Sequence, residues 1–258
     1  MRASSIGSVV SRCVLAAIFL FAGQAHATWS IIVLDPETRT IGLAGASCSD
    51  YVAGISGYVP GKGAVMAQAA SNWQAKTKAE ELIRTGTSPD QILATIIDPH
   101  FDPDFSRQQY AILTFDAFDK PVTYTGTNAE DYHGAITGDG FSTQGNMLPG
   151  SAVLEAVATS INATRKAKQP IEEILLSALE AGASAGGDKR CGKQRATSAF
   201  ITVIRADLPW WEPYLNLNVH HVKKGGPNAV AMVRGEYRRW KARYRGSRST
   251  SWSIAPQP

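Results

Sequence analysis

Three features are scarce in this 258-residue sequence: cysteine, long apolar runs and excess charge. Three cysteines are too few to suggest a disulfide scaffold, and a chain of this length buries a large core without one. No run of about 18 uncharged apolar residues follows the N-terminal region, which excludes a membrane span in the body of the chain. The formal net charge of +4 gives no reason to expect nucleic-acid binding. With 44% hydrophobic and 19% charged residues, the composition is that of a globular protein.

The N-terminal segment has the three parts of a signal peptide. Two arginines accompany a short apolar run at 14–22, and residues 25–27 (Ala-His-Ala) supply the small-x-small pattern of a cleavage site. We therefore predict a signal peptide at 1–27, a mature chain beginning at Thr28, and a periplasmic or secreted location. The alternative is a membrane anchor, although the apolar run is too short to span a bilayer.

Removal of this segment leaves two cysteines, Cys48 and Cys191. Disulfides persist in the oxidising compartments outside the cytoplasm, so a pair is the simplest interpretation of an even count. Two free thiols remain the alternative, because the sequence does not give the distance between them.

Periodicity and turn residues predict an α+β protein with one domain. The predicted strands are 28–35, 40–49, 64–70, 109–115, 122–125, 141–148, 197–205 and 215–221, and the predicted helices are 74–84, 89–97, 152–164, 171–181 and 228–244. Residues 51–63 are predicted to be a glycine-rich loop. The first two strands form a hairpin, and pairing Asp35 with Thr40 places Thr28 opposite Ser47.

Cleavage of the signal peptide would give Thr28 a free α-amine beside its own hydroxyl. An α-amine has an ordinary pKa near ~8, so it is partly neutral and can accept the proton of the hydroxyl on the same residue. Such a threonine is a nucleophile that carries its own base. The alternative is that an arbitrary small residue follows the cleavage site.

Four groups of segments between about 28 and 205 form a combined pattern: Thr28–Val33 with Asp35–Thr38, Gly63–Val65 with Gln68 and Asn72, Gly140–Leu148, and Ala185–Arg190 with Gln194 and Ser198. This pattern resembles that of a bacterial family of unknown function placed in the N-terminal-nucleophile (Ntn) hydrolase superfamily. The resemblance implies a four-layer αββα sandwich, with two antiparallel sheets between helix layers and Thr28 at the mouth between the sheets. The Ntn-like domain is then 28–233, followed by a basic C-terminal helix or tail at 234–258. The resemblance implies no known substrate.

The sequence departs from that family's pattern at two places. In the glycine-rich turn after Asp188, this chain has Cys191 at a position where relatives already have glycine. Lys62 stands where the family's pattern usually has an uncharged residue. A Cys48–Cys191 bridge would tie the Asp188 loop to the hairpin that carries Thr28.

Three polar residues are candidates to assist Thr28 in catalysis. Ser47, opposite Thr28, could bind the α-amine, or it could simply fill a tight strand. Asn72 and Asn146 could donate to an oxyanion. For Asn72 the alternative is capping and loop hydrogen bonding.

Four further residues are candidates for substrate binding. Gln68 ends a buried strand, and Gln144 shares a strand face with Asn146, which favours a polar pocket because buried amides are costly unless satisfied. Asp188 could bind the α-ammonium or a cationic group, or serve only its glycine-rich turn. Arg190 could hold a substrate carboxylate, or be a solvated loop residue.

No metal or cofactor is expected. The carboxylates at 98, 102 and 104 are interrupted by prolines and lack a closing glutamate, and the adjacent His220 and His221 face opposite sides of a strand. The basic segment 234–248, with interleaved aromatic residues, could contact anionic envelope components, or be a solvated tail.

The sequence thus predicts an exported Ntn-type hydrolase that cleaves an amide or related acyl bond in a small-molecule or peptide-like substrate. The alternative is a non-catalytic envelope-associated binding or accessory protein on the same scaffold. An exposed edge of an antiparallel sheet would allow a homodimer, but no residue pattern requires one.

Overall fold

The computed structural model describes residues 28–209 and 211–250, with side chains up to residue 243. The predicted signal peptide 1–27 and the end of the predicted tail, 251–258, lie outside the described residues. The strands are β1 (Thr28–Asp35), β2 (Thr40–Ser47), β3 (Ser56–Val59), β4 (Gly63–Ala69), β5 (Gln108–Thr114), β6 (Val122–Thr125), β7 (Gly134–Gly138), β8 (Phe141–Asn146), β9 (Ser198–Ile204) and β10 (Leu215–Val219). The α-helices are α1 (Trp73–Arg84), α2 (Pro89–Ile96), α3 (Ala152–Lys166), α4 (Ile171–Ser184) and α5 (Ala229–Thr250).

The strands form two antiparallel sheets, which confirms the α+β prediction. One sheet has the order β10-β9-β2-β1-β8-β7 and the other the order β3-β4-β5-β6. The predicted hairpin register is also confirmed, since Asp35 pairs with Thr40 and Thr28 with Ser47. Strands β8 and β9, distant in sequence, flank this hairpin on its two sides.

The alternation of side chains along β1 explains how the sheets and helices pack. Trp29, Ile31 and Val33 belong to an apolar cluster with α3, α4 and α5, whereas Ile32 and Leu34 belong to a second cluster with residues of β4 and β5. A third cluster joins the outer face of β4 and β5 to α1 and α2. Since Thr28 is even-numbered like Ile32, its side chain faces the space between the two sheets.

Two short strands were not predicted, and several strand and helix ends differ from the sequence prediction. Strand β10 ends at Val219, so His220 and His221 lie beyond the strand on which the sequence placed them. Strand β3 lies within the predicted loop 51–63, and β7 was not predicted. Both are short, contain glycine and lie at sheet edges, so they lack the long apolar alternation typical of central strands. Helix α5 continues past residue 244 to Thr250.

The start of the basic C-terminal segment is packed against the domain. Arg234 pairs with Glu173 at 2.5 Å and with Glu180 at 2.8 Å, both on α4. The division drawn between residues 233 and 234 therefore falls within a continuous helix whose first turns pack on α4. Over the described part of the chain, no helix combines the length and apolar character that crossing a membrane requires.

Candidate functional site

Four polar residues form a row across the end of the six-stranded sheet. Ser198 of β9 pairs with Ser47 of β2, Ser47 pairs with Thr28 of β1, and Thr28 pairs with Asn146 of β8. All four are completely buried. Because partners on adjacent strands point to the same face, the four side chains share the face between the sheets. The structure thus brings together three of the four predicted catalytic residues.

Thr28 lines a cavity of about 250 Å³. The other lining residues are Ser49, Tyr51, Val52, Gly54, Ile55, Ala70 and Ser71. They come from the segment after β2 and from the end of β4, so the cavity opens where the sheets end. The lining contains hydroxyl and apolar groups and no charged side chain, which suits a small uncharged group.

Asp188 lies at the base of the loop next to this row and is completely buried. Its Oδ2 accepts from the backbone N–H of Cys48 at 2.6 Å and from Nη2 of Arg190 at 2.8 Å. Its Oδ1 accepts from the backbone N–H and Nε of Arg190, at 2.9 and 3.2 Å. Nη2 of Arg190 also lies 3.4 Å from the hydroxyl oxygen of Ser47. The carboxylate therefore fixes a guanidinium beside the residue that pairs with Thr28.

The predicted disulfide between Cys48 and Cys191 is present, with the two Cα atoms 5.6 Å apart. It joins the residue after β2 to the loop that holds Asp188 and Arg190. Together with the bond from the Cys48 N–H to Asp188, the bridge attaches this loop to the strand that carries Ser47.

Gln68 and Gln144 lie one row deeper than Thr28, in a buried network between the sheets. The hydroxyl of Ser30 donates to Gln68 at 2.5 Å and accepts from Gln144 at 2.5 Å. Gln68 donates to Gln109 at 2.7 Å, and Ser142 donates to Gln144 at 2.8 Å. These amides are hydrogen-bonded within the protein and support the floor beneath Thr28.

Asn72 has the capping function that the sequence offered as an alternative. Its side-chain oxygen accepts from the backbone N–H groups of Gln74 and Ala75, at 2.9 and 3.1 Å, and so begins α1. It is not among the residues that line the cavity of Thr28. Asn146 does not line the cavity either, but it pairs directly with Thr28 on the neighbouring strand.

Uncommon backbone conformations are concentrated around this end of the molecule. Five non-glycine residues near the row have positive φ: Ala69, Ser71, Met147, Arg195 and His221. Ser71 lines the cavity, and Met147 directly follows Asn146. Such conformations are costly for residues with a Cβ and cluster at functional sites.

Sequence analysis did not single out Ser30, Gln109 or Ser198 for the site. Ser30 could have been found from its period-two spacing from Thr28 on β1. Ser198 was named only as part of the family resemblance, because its place in the row depends on the long-range pairing of β9 with β2. Its buried hydroxyl has no hydrogen-bond partner in the described structure. Within residues 28–209 and 211–243, no group of three or more His, Cys, Asp or Glu side chains could hold a metal ion.

Comparison with known proteins gives a family and a fold. A family model described as "Family of unknown function (DUF1028)" matches residues 28–227. The chain is similar to the crystal structure of protein SPO2555 from Silicibacter pomeroyi, whose description also assigns it to DUF1028. The TM-score is 0.69 and the identity 25%, over 83% of this chain and 85% of the other. No curated protein matches the chain significantly.

Proposed function

Because this chain belongs to the DUF1028 family, whose function is unknown, we propose from the geometry of its site that it is an exported Ntn-type amidohydrolase. Thr28 is the nucleophile, and removal of residues 1–27 exposes its α-amine. The observation that carries the proposal is the position of Thr28. The residue that follows the predicted cleavage site begins the central hairpin, faces the space between the sheets and lines a cavity.

Three further observations support the proposal. The family match begins at Thr28, which separates the preceding segment from the shared domain. The succession of α3–α5, sheet, sheet and α1–α2 is compatible with the αββα sandwich that the proposal requires. The Cys48–Cys191 bridge fits export, since disulfides persist outside the cytoplasm.

In the proposed reaction, the Thr28 hydroxyl oxygen forms a bond to the acyl carbon of an amide. The α-amine takes the hydroxyl proton and passes it to the leaving nitrogen as the carbon–nitrogen bond breaks. A water molecule, deprotonated by the same amine, then attacks the ester; the acyl group leaves as a carboxylic acid and the proton returns to Thr28. No cofactor takes part.

The neighbours of Thr28 have separate roles in this scheme. Asn146 donates to the oxyanion that forms on the acyl oxygen, and Ser47 orients the α-amine. Arg190, held by Asp188, positions Ser47 across the 3.4 Å contact. Gln68 and Gln144 keep the strand under Thr28 fixed through Ser30.

A β-lactone probe tests the proposal without knowledge of the substrate. The Thr28 oxygen opens the lactone ring to form an ester that adds the whole mass of the probe, and peptide mapping locates the adduct. We expect one adduct on Thr28 in a protein that begins with Thr28. The adduct should be lost in Thr28→Ala and in a chain with one extra alanine before Thr28, and kept in Thr28→Ser.

The extended chain is the decisive control because it retains the hydroxyl and removes only the free amine from residue 28. Equal labelling of the extended and the Thr28-first proteins would refute the proposed base. Absence of any adduct, together with no turnover of simple amides, would instead favour the non-catalytic binding or accessory function.

A further inference from the structure

A cluster of cations lies on one side of the Thr28 cavity. The two segments that carry it, here called the basic loops, are residues 188–195 and 220–224. They contain Lys189, Arg190, Lys193, Arg195, Lys223 and Lys224, against the single carboxylate of Asp188. Asp188 already pairs with Arg190. Within the described side chains, none of the other five cations forms an ion pair with a carboxylate.

The basic loops are joined to each other. The buried side chain of Gln194 donates to the backbone oxygens of Lys223 and Pro227, both at 3.0 Å, and accepts from the N–H of Gly225 at 3.0 Å. One amide therefore joins the first loop to Lys223 of the second loop and to Gly225 and Pro227, which follow it. The backbone of the two loops is thereby fixed, which limits the entropy lost when a ligand binds.

The basic loops are also joined to the cavity. The disulfide attaches the first loop to Cys48 at the end of β2. In the second loop, the N–H of His221 donates to Asp50 at 2.8 Å, and the ring of His220 contacts the ring of Tyr51, with centroids 6.1 Å apart. Tyr51 lines the cavity beside Thr28. Strands β1 and β9 are two strand spacings apart, roughly 10 Å, so one small molecule can reach from Thr28 towards these loops.

The first basic loop also contacts the segment next to β8, because the Lys189 side chain donates to the backbone oxygen of Asp131 and the Lys189 N–H donates to that of Met147 at 3.4 Å. Next to β8, the backbone oxygen of Glu130 accepts from the N–H of Met147, and that segment also contains Asp131. The exposed Asp50 lies in sequence between the cavity-lining residues Ser49 and Tyr51. The cavity itself has no charged lining residue. The excess of cations on the basic loops therefore favours an anion there, and the uncharged cavity favours an uncharged group.

We propose that the substrate is a small N-acylated compound whose leaving part carries an anionic group. The uncharged acyl group occupies the 250 Å³ cavity, and the anionic group of the leaving amine binds at the basic loops. This assignment rests on the proposed function for the bond that is cleaved, but the preference for an anion is a property of binding and is measured separately.

The test uses two probes of equal shape and different charge, 4-acetamidobenzoate and 4-acetamidobenzamide. Their dissociation constants are measured by calorimetry or NMR on Thr28→Ala protein beginning at residue 28, so that turnover is not required. We expect the benzoate to bind at least tenfold more tightly than the benzamide. The ratio should fall to about threefold or less in the triple variant Lys193→Gln, Lys223→Gln, Lys224→Gln.

A control variant removes two cations from the other end of β1. Lys166→Gln with Lys168→Gln changes exposed lysines near the β1–β2 turn, where Lys168 lines a separate cavity with Asp35. The control should keep the tenfold ratio. Equal binding of the two probes, or a preference that the triple variant retains, would overturn the inference. That outcome would not affect labelling of Thr28 by the β-lactone. The proposed function is therefore tested independently of the substrate preference.

Discussion

Replacement of Asp188 by asparagine should destabilise the protein strongly. The carboxylate is completely buried and accepts four N–H donors, two of them from the Arg190 side chain and one from Cys48. The substitution removes the charge that compensates Arg190 and turns one acceptor into an N–H group that faces other N–H groups.

The magnitude follows from burial. Breaking a buried ion pair by removing one partner costs about 3–5 kcal/mol, because the remaining charge is left uncompensated. The Arg190 side chain is 29% exposed, so water relieves part of that cost. We expect the free energy of unfolding to fall by about 3 kcal/mol, a large part of the ~5–15 kcal/mol of a typical domain.

The chain contains a matched control for this experiment. Arg205 and Asp207 form a pair with the same two-residue separation and the same two-point contact, at 3.0 and 2.9 Å, but both side chains are exposed. Asp207→Asn should therefore cost at most about 1 kcal/mol. Urea unfolding with the disulfide intact measures both variants. If Asp188→Asn lost no more stability than Asp207→Asn, the reasoning from burial would be refuted.

Three further predictions concern the scaffold. Reduction of the Cys48–Cys191 bridge, which closes a loop of sequence separation 143, should lower the free energy of unfolding by about 2–5 kcal/mol, and urea unfolding with and without reductant measures this. Desolvation raises the pKa of Glu80, so the wild type loses stability as pH rises through that pKa. The variant Glu80→Gln should therefore have a higher Tm than the wild type at pH 7 and a similar Tm at pH 3. An equal gain in Tm at both pH values would contradict this. Gly182→Ala would place a Cβ 2.6 Å from Nε1 of Trp29, and it should lower the free energy of unfolding by about 1–3 kcal/mol, measured by thermal or urea unfolding. Unchanged stability would contradict this and show that α4 can move to make room.

Local patterns in the sequence were sufficient for the hairpin and the helices. The turn between Asp35 and Thr40 determines the register, and the register places Ser47 opposite Thr28. Apolar periodicity located the five α-helices of the described residues, although α5 extends to Thr250, beyond its predicted end at residue 244. The hairpin register and the helix positions depend on residues close in sequence, so their spacing along the chain is enough to predict them.

The rest of the site depends on contacts that sequence spacing does not contain. Ser198 joins the polar row only because β9 pairs with β2, and Gln109 joins the network below it because β5 pairs with β4 and places Gln109 opposite Gln68. For Asn72, capping and oxyanion binding require the same amide, so only the structure shows that its oxygen begins α1. The basic loops likewise come together through Gln194, a residue that the sequence linked only to the family resemblance.

The N-terminal residue of the exported protein tests the central claim most directly. The full 258-residue chain is expressed in a bacterium with a periplasm, and the N-terminal peptide of the recovered protein is identified by mass spectrometry and Edman sequencing. The account predicts that the chain begins with Thr28 and has an unmodified α-amine. A chain that begins at any other residue, or that retains residues 1–27, would contradict it, because Thr28 would then have no amine to act as its base.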